Sequence, residues 1–232
     1  MHQLISKPFG KVIRFSWHEA MIQTSLTPTR KCQPASKVPD PVQLLRTATH
    51  ELHQRLDQNL PLARENPGLM EYRDHISVLR DWQLALKPWL SVVLDNDWSL
   101  ALIAQDLADL PRADSSSRTR PANLCMVRQV DDGSAAFCWG IAYVLEGSRL
   151  GGQVLHRRLS ASLSPHPLRY LSASGPDGHS WPKMLAALRQ HLFNEQTQAA
   201  GCHGAVAAFQ LLIAQFKQEN MLPLVTPSLP RR

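Results

Sequence analysis

Apolar residues recur at three- and four-residue intervals through most of this chain, which is typical of amphipathic helices. In the first such stretch the spacing joins Leu45, Leu52 and Leu56. Asp40 stands where it can cap the helix N-terminus, and Pro61 stands where the pattern stops. The sequence therefore predicts a first helix of about five turns between these two residues.

Further segments repeat this period or interrupt it. Five more helices are predicted over residues 66–95 with a kink at Pro88, 97–110, 134–159, 180–198 with Ser180 as its cap, and around 206–216. Residues 112–133 have no sustained period and predict a long connection with a short apolar turn at 124–127, and 164–179 predict a Pro- and Gly-rich connector. No stretch alternates between apolar and polar residues for long enough to predict a strand. We expect an all-α fold, a single-domain bundle of about six or seven helices.

The length and the charge pattern divide the chain into a body and two tails. A chain of 232 residues, 44% of them hydrophobic, can bury one sizeable core. Of the net charge of +6, residues 1–40 supply +4 (six Lys or Arg against two acids) and the final two arginines supply +2. A neutral body argues against a nucleic-acid partner. We predict a basic, disordered extension at residues 1–39, a helical domain at 40–220 and a Pro-rich tail at 221–232.

The cysteines and the apolar runs bear on the compartment. Four cysteines without a CxxC pair fit neither a common zinc site nor a dense disulfide framework, and they favour a reducing cytoplasm. The sequence contains no run of about 18 apolar residues, so it predicts no membrane span. The N-terminus lacks a secretory signal, while a transit peptide stays open.

His53 is the first residue that departs from a plain amphipathic pattern. It follows Leu45 and Thr49 at four-residue steps and so lies at the edge of the apolar face. An imidazole there can ligate a transition metal or haem iron, although a lone histidine is more often a packing residue. His50 is a rival, but three residues separate the two histidines instead of the four of a zinc-protease HExxH motif. The other histidines, His75 among them, have no metal-ligand spacing and are interpreted as surface or packing residues.

The second departure is a helix that contains Gly147, Gly151 and Gly152. Three interior glycines cost a helix about 3 kcal/mol relative to alanine, so the missing side chains are expected to serve a purpose. One purpose is to let a flat ligand lie against the backbone, and the other is to let another helix pack closely. The segment lacks the sequence of a P-loop, and Ser148 lacks the context of a hydrolase nucleophile.

Together these two segments resemble a known family. Residues 45–57, LRTATHELHQRLD, resemble the proximal helix of haem (heme) oxygenases, and residues 143–154, YVLEGSRLGGQV, resemble their distal helix. The Tyr-Val-Leu-Glu-Gly-Ser run is most similar to the bacterial form that accompanies bacteriophytochromes. The resemblance covers residues 41–217, and its two specific motifs are in the family's order.

The resemblance implies a heme oxygenase-like bundle in which haem is sandwiched between the proximal and distal helices. It implies His53 as the axial iron ligand, with Thr49 one turn before it and Arg46 facing a haem propionate. On the distal side it implies approach of the backbone to the haem at Gly147, Ser148, Gly151 and Gly152. Mammalian members have a carboxylate where this chain has Ser148, and serine is not an acid of useful pKa. Arg149, in the middle of the motif, has no role that the resemblance explains.

The implied activity is oxidative cleavage of haem, which is both cofactor and substrate, to biliverdin, carbon monoxide and ferrous iron. It would use dioxygen and an external electron donor such as a ferredoxin or a reductase, and a bacteriophytochrome is a candidate acceptor of the biliverdin. Two alternatives stay open: a non-catalytic haem- or bilin-binding protein of the same fold, and a helical interaction module without haem.

Overall fold

The computed structural model describes residues 39–57, 60–111, 124–175 and 181–218, and this part of the chain is all-α, as predicted. It contains a short 3₁₀ turn, Pro61–Ala63, and no strand. Its helices are α1 Pro41–Asp57, α2 Leu69–Leu90, α3 Asp97–Asp109, α4 Cys125–Val130, α5 Ala135–Leu159, α6 Arg169–Ser172, α7 Trp181–His191 and α8 Glu195–Gln218.

The helices differ from the predicted ones in four places. The second helix ends at Leu90, one turn earlier than expected and two residues after Pro88. The predicted turn at 124–127 is a longer helix, α4, and the connector at 164–179 contains the unpredicted helix α6. Eight helices therefore replace the expected six or seven in the described part of the chain.

The fourth difference is a break in the helix predicted over residues 180–198. The structure ends α7 at His191 and begins α8 at Glu195. Asn194 stands before α8 as its cap, because its Oδ1 accepts a hydrogen bond of 2.8 Å from the backbone N–H of Thr197. The predicted Ser180 cap, the N-terminal extension up to residue 38 and the C-terminal tail lie outside the described residues.

Helices α5 and α8 form the centre of the bundle. Ser134 caps α5 through a hydrogen bond of 3.1 Å from Phe137 N to Ser134 Oγ. α5 packs against α2, α6, α7 and α8, while α8 packs against α1, α2, α4 and α5. By length and composition α8 could cross a membrane, but 67% of its most apolar window is buried inside the fold, as in a core helix.

Candidate functional site

A cavity that opens to solvent lies between α1, α2, α5 and α8. Most of its lining is apolar, and the polar exceptions are His53, Asp57, His75 and Ser148. The apolar residues are Leu56, Leu60, Leu79, Val144, Phe209, Leu212 and Phe216. The cavity therefore suits a largely apolar ligand that meets a few polar groups.

His53 lines this cavity from α1. Its ring meets Phe209 of α8 edge-on, with ring centroids 4.4 Å apart and an interplanar angle of 62°. The Nε2 atom is shielded from solvent. The rival His50 is exposed and lies 2.9 Å, Nε2 to Nε2, from Gln54 on the outer face of α1. Of the two histidines that the sequence left as candidates, His53 is the one at the cavity.

On α5, the residues that line the cavity are Val144 and Ser148. The Ser148 hydroxyl donates a hydrogen bond of 2.7 Å to the Leu145 carbonyl. Gly147, Gly151 and Gly152 are buried along the same helix. A Cβ on Gly152 would lie 3.5 Å from Leu171, so that glycine faces α6. The structure thus brings His53 and Ser148, one from each motif, to a single cavity.

Thr49 and Arg46 lie farther back on α1 and do not line the cavity. The Thr49 hydroxyl is fully buried and donates a hydrogen bond of 2.8 Å to the Leu45 carbonyl. Both side chains are within hydrogen-bonding reach of the Tyr143 hydroxyl on α5. Burial raises the pKa of Tyr143 to about 12, partly offset by these two neighbours. This group ties α1 to α5.

Arg149, unexplained by sequence, points away from the cavity toward α3. It pairs with Glu146 one turn earlier, and both side chains are about nine-tenths buried. Its guanidinium carbon lies 4.4 Å from the centroid of the Trp98 ring, a cation–π arrangement. A structural role in anchoring α5 to α3 follows from these contacts.

Sequence reasoning missed His75, which the structure places on α2 in the cavity wall, 3% exposed. Burial lowers its pKa to about 4, so the imidazole is neutral at physiological pH. A signal was present in the sequence, because His75 lies three residues after Tyr72 and four before Leu79 on the predicted apolar face.

A buried polar chain leads away from Ser148. The hydroxyl of Tyr170 on α6 is within hydrogen-bonding reach of Ser148 and accepts a hydrogen bond of 3.2 Å from Gln83 Nε2. Gln83 Oε1 in turn accepts from Ser99 Oγ at 2.9 Å. Burial raises the pKa of Tyr170, which keeps its phenol protonated. The chain connects the cavity wall on α5 to α2 and α3.

Comparison with known proteins gives an informative relative. No family model matches the chain. A protein named heme oxygenase from Xanthomonas campestris pv. campestris (strain 8004) is 29% identical over 143 residues, which are 59% of this chain and 81% of that protein. This similarity supports the resemblance to heme oxygenases that the two motifs carry. It does not extend to the bacteriophytochrome-associated type, which stays a prediction.

Proposed function

We propose that this chain is a haem oxygenase that binds haem in the cavity and cleaves it to biliverdin, carbon monoxide and ferrous iron. The proposal rests on the position of His53 and Ser148, which come from two motifs about 90 residues apart and line one apolar cavity. The similarity to the Xanthomonas campestris protein adds support. The apolar lining of the cavity, the position of His53 and the similarity to this protein all favour haem as the ligand.

The cavity residues fit a flat and mainly apolar tetrapyrrole. Leucine and phenylalanine side chains would cover its faces, and the imidazole of His53 is a common haem ligand. The edge of Phe209 limits rotation of that imidazole. When bound, the haem supplies the redox-active iron and the meso carbons at which the ring opens. The described residues hold no group of three His, Cys, Asp or Glu that could bind a bare metal ion.

On the distal side, Val144 and Ser148 would limit the space beside the ligand and order water near it. Because the Ser148 hydroxyl donates to Leu145, its oxygen lone pairs are left to accept a hydrogen bond from water or from Tyr170. Neither hydroxyl is acidic enough to supply protons by itself. Protons would reach the cavity through water that these groups hold.

The ligand assignment is tested by titrating the purified protein with hemin and recording its Soret band. His53→Ala is expected to lose the wild-type spectrum of the complex, whereas the matched variant His50→Ala, one turn earlier and exposed, keeps it. The opposite pattern would move the iron ligand to His50. Absence of any Soret shift in the wild type would favour the interaction module instead.

Turnover is tested separately from binding. The hemin complex is given a reductant and dioxygen for a single turnover, and biliverdin and carbon monoxide are measured. We expect stoichiometric biliverdin from the wild type. A complex with a histidine-ligated spectrum that never yields biliverdin would identify the chain as a non-catalytic haem- or bilin-binding protein.

The partners belong to the same proposal. We propose a ferredoxin or a reductase as the electron donor, dioxygen as co-substrate, a cytoplasmic location, and a bacteriophytochrome as the acceptor of biliverdin. The Tyr-Val-Leu-Glu-Gly-Ser run at residues 143–148 supports the last assignment. Mixing the product complex with an apo-bacteriophytochrome should produce the absorbance of the assembled photoreceptor; free biliverdin left in solution would contradict it.

A further inference from the structure

His75 has no function in the fold that accounts for its polar nitrogen. It is almost completely buried, it lines the cavity, and its Nδ1 has no hydrogen-bond partner within the described residues. Its ring lies 5.5 Å from that of Phe216, an apolar contact that leucine or phenylalanine could also make. A buried polar atom without a partner destabilises a protein, so a histidine at this position favours a ligand as the missing partner.

The charge state of His75 suits a ligand contact. Because burial lowers its pKa to about 4, the imidazole is neutral and offers one N–H donor and one acceptor nitrogen. Near it, the apolar lining includes Leu79 and Phe216. A polar group on a ligand in this part of the cavity could therefore form a hydrogen bond with His75.

The spacing along α8 separates His75 from the iron ligand. His53 packs on Phe209, and His75 packs on Phe216, seven residues farther along the helix. Two helical turns correspond to about 10 Å along the axis. This offset disfavours two imidazoles on one iron and favours a contact of His75 with another part of a ligand that spans the cavity.

We propose that His75 is a further binding residue, whose imidazole hydrogen-bonds the tetrapyrrole that His53 ligates, at a position away from the iron. The identity of the ligand rests on the function proposed above. The placement of His75 in the cavity wall and the lack of a partner for its Nδ1 do not. A ligand contact and a packing role predict opposite changes in the unfolding temperature of the ligand-free protein when the nitrogen is removed.

The decisive variant is His75→Leu. A ligand-binding role predicts a higher unfolding temperature of the ligand-free protein, because a buried unpartnered nitrogen is removed, together with a dissociation constant raised about 5- to 10-fold. A packing role predicts a lower unfolding temperature and no specific loss of affinity. If the leucine variant does not fold, His75→Phe, which keeps a ring against Phe216, carries the same expectation.

Gln215 of α8 provides a matched control. Its amide is buried, its Nε2 and Oε1 have no partner within the described residues, and it does not line the cavity. Gln215→Leu should therefore also raise the unfolding temperature of the ligand-free protein but leave ligand affinity unchanged. Equal losses of affinity in both variants would overturn the assignment of His75.

Two probes separate hydrogen bonding from iron ligation. Affinities are measured by absorbance titration with hemin and by fluorescence with metal-free protoporphyrin IX. We expect His75→Leu to weaken both by similar factors, while His53→Ala weakens hemin far more. Loss of hemin affinity alone would overturn the proposal in favour of iron ligation, and affinities within twofold of wild type for both probes would overturn it outright. A wild-type protein that binds neither probe overturns the proposed function as well.

Discussion

At the residue scale, burial decides the charge of His75 and with it a share of the pH dependence of stability. Its pKa is lowered from 6.5 to about 4, so the unfolded chain takes up this proton more readily than the folded chain does. Burial of this imidazole therefore adds no proton-linked cost above pH 6.5, and the folded protein loses stability as the pH falls toward 4. The full difference corresponds to about 3 kcal/mol of unfolding free energy.

We therefore expect the stability advantage of His75→Leu over the wild type to grow by about 2 kcal/mol between pH 7 and pH 5. Urea unfolding of both ligand-free proteins at the two pH values measures this difference. Groups common to both proteins cancel in the comparison. Parallel pH profiles would contradict a histidine that is buried and neutral in the folded state.

The residues of the site were predictable to different degrees. The spacing of His53 after Leu45 and Thr49 indicated its position beside the core, and the structure places it at the cavity. The same periodicity put His75 on an apolar face, but a sequence cannot tell whether a buried nitrogen has a partner. The contacts of Arg46 and Thr49 with Tyr143 also depend on how α1 meets α5, which helical spacing does not specify.

At the scale of helices, the crossing of α5 and α8 depends on glycines outside the predicted motif. A Cβ on Gly140 would lie 1.9 Å from the Gly201 carbonyl oxygen, and one on Gly204 would lie 2.1 Å from the Phe137 carbonyl oxygen. The two backbones therefore touch where no side chain fits. The sequence drew attention to glycines 147–152, because three glycines in six residues stand out, whereas widely separated glycines that meet in space do not.

Gly140→Ala should force these helices apart. We expect this overpacking to lower the free energy of unfolding by about 1–3 kcal/mol or more. The unfolding temperature should fall by roughly 5–10 °C, measured by thermal unfolding in circular dichroism. Gly152→Ala is the control on the same helix, since its new Cβ would meet Leu171 at an ordinary 3.5 Å and gains helix propensity. An equal loss in both variants would mean that helix bending, and not the crossing, requires the glycines.

Asp106 of α3 holds together the helices behind the cavity. It is fully buried and accepts hydrogen bonds from Tyr72 Oη at 2.6 Å, from the backbone N–H of Tyr170 at 2.9 Å, and from the backbone and guanidinium of Arg169 at 3.1 and 3.2 Å. Asp106→Ala should cost about 3–5 kcal/mol because it leaves these donors unpaired. Because Asp106 also holds α6, the substitution should displace Tyr170 on that helix and thereby disturb the polar chain at Ser148.

The same arginine supplies the control for that prediction. Asp109 also pairs with Arg169, at 2.6 Å, but its side chain is about half exposed. Asp109→Ala should therefore change the unfolding free energy by less than about 1 kcal/mol. Chemical denaturation of the two variants separates the cases, and comparable losses would show that the ion pair with Arg169, not the buried network, matters.

At the scale of the whole molecule, helical periodicity was enough to predict an all-α bundle because most helices carry a continuous apolar face. It was not enough to place α6, a single turn that Asp106 positions through long-range hydrogen bonds. Nor did it place the break between α7 and α8, which lies after His191 and not after residue 198, because that break depends on the Asn194 cap and not on a proline or glycine. Local patterns specify helices, while the cavity arises from contacts between residues far apart in sequence.

The cavity joins four helices, so its ligand should stabilise the fold as a unit. Residues of α1, α2, α5 and α8 line it, and α3 does not. At hemin concentrations about 100 times the dissociation constant, linkage adds about 2.7 kcal/mol, which raises the unfolding temperature by about 5–10 °C. His53→Ala should shrink this shift. Hydrogen exchange should slow in the four lining helices more than in α3, and protection confined to α1 would mean that hemin binds at the surface of that helix instead of in the cavity.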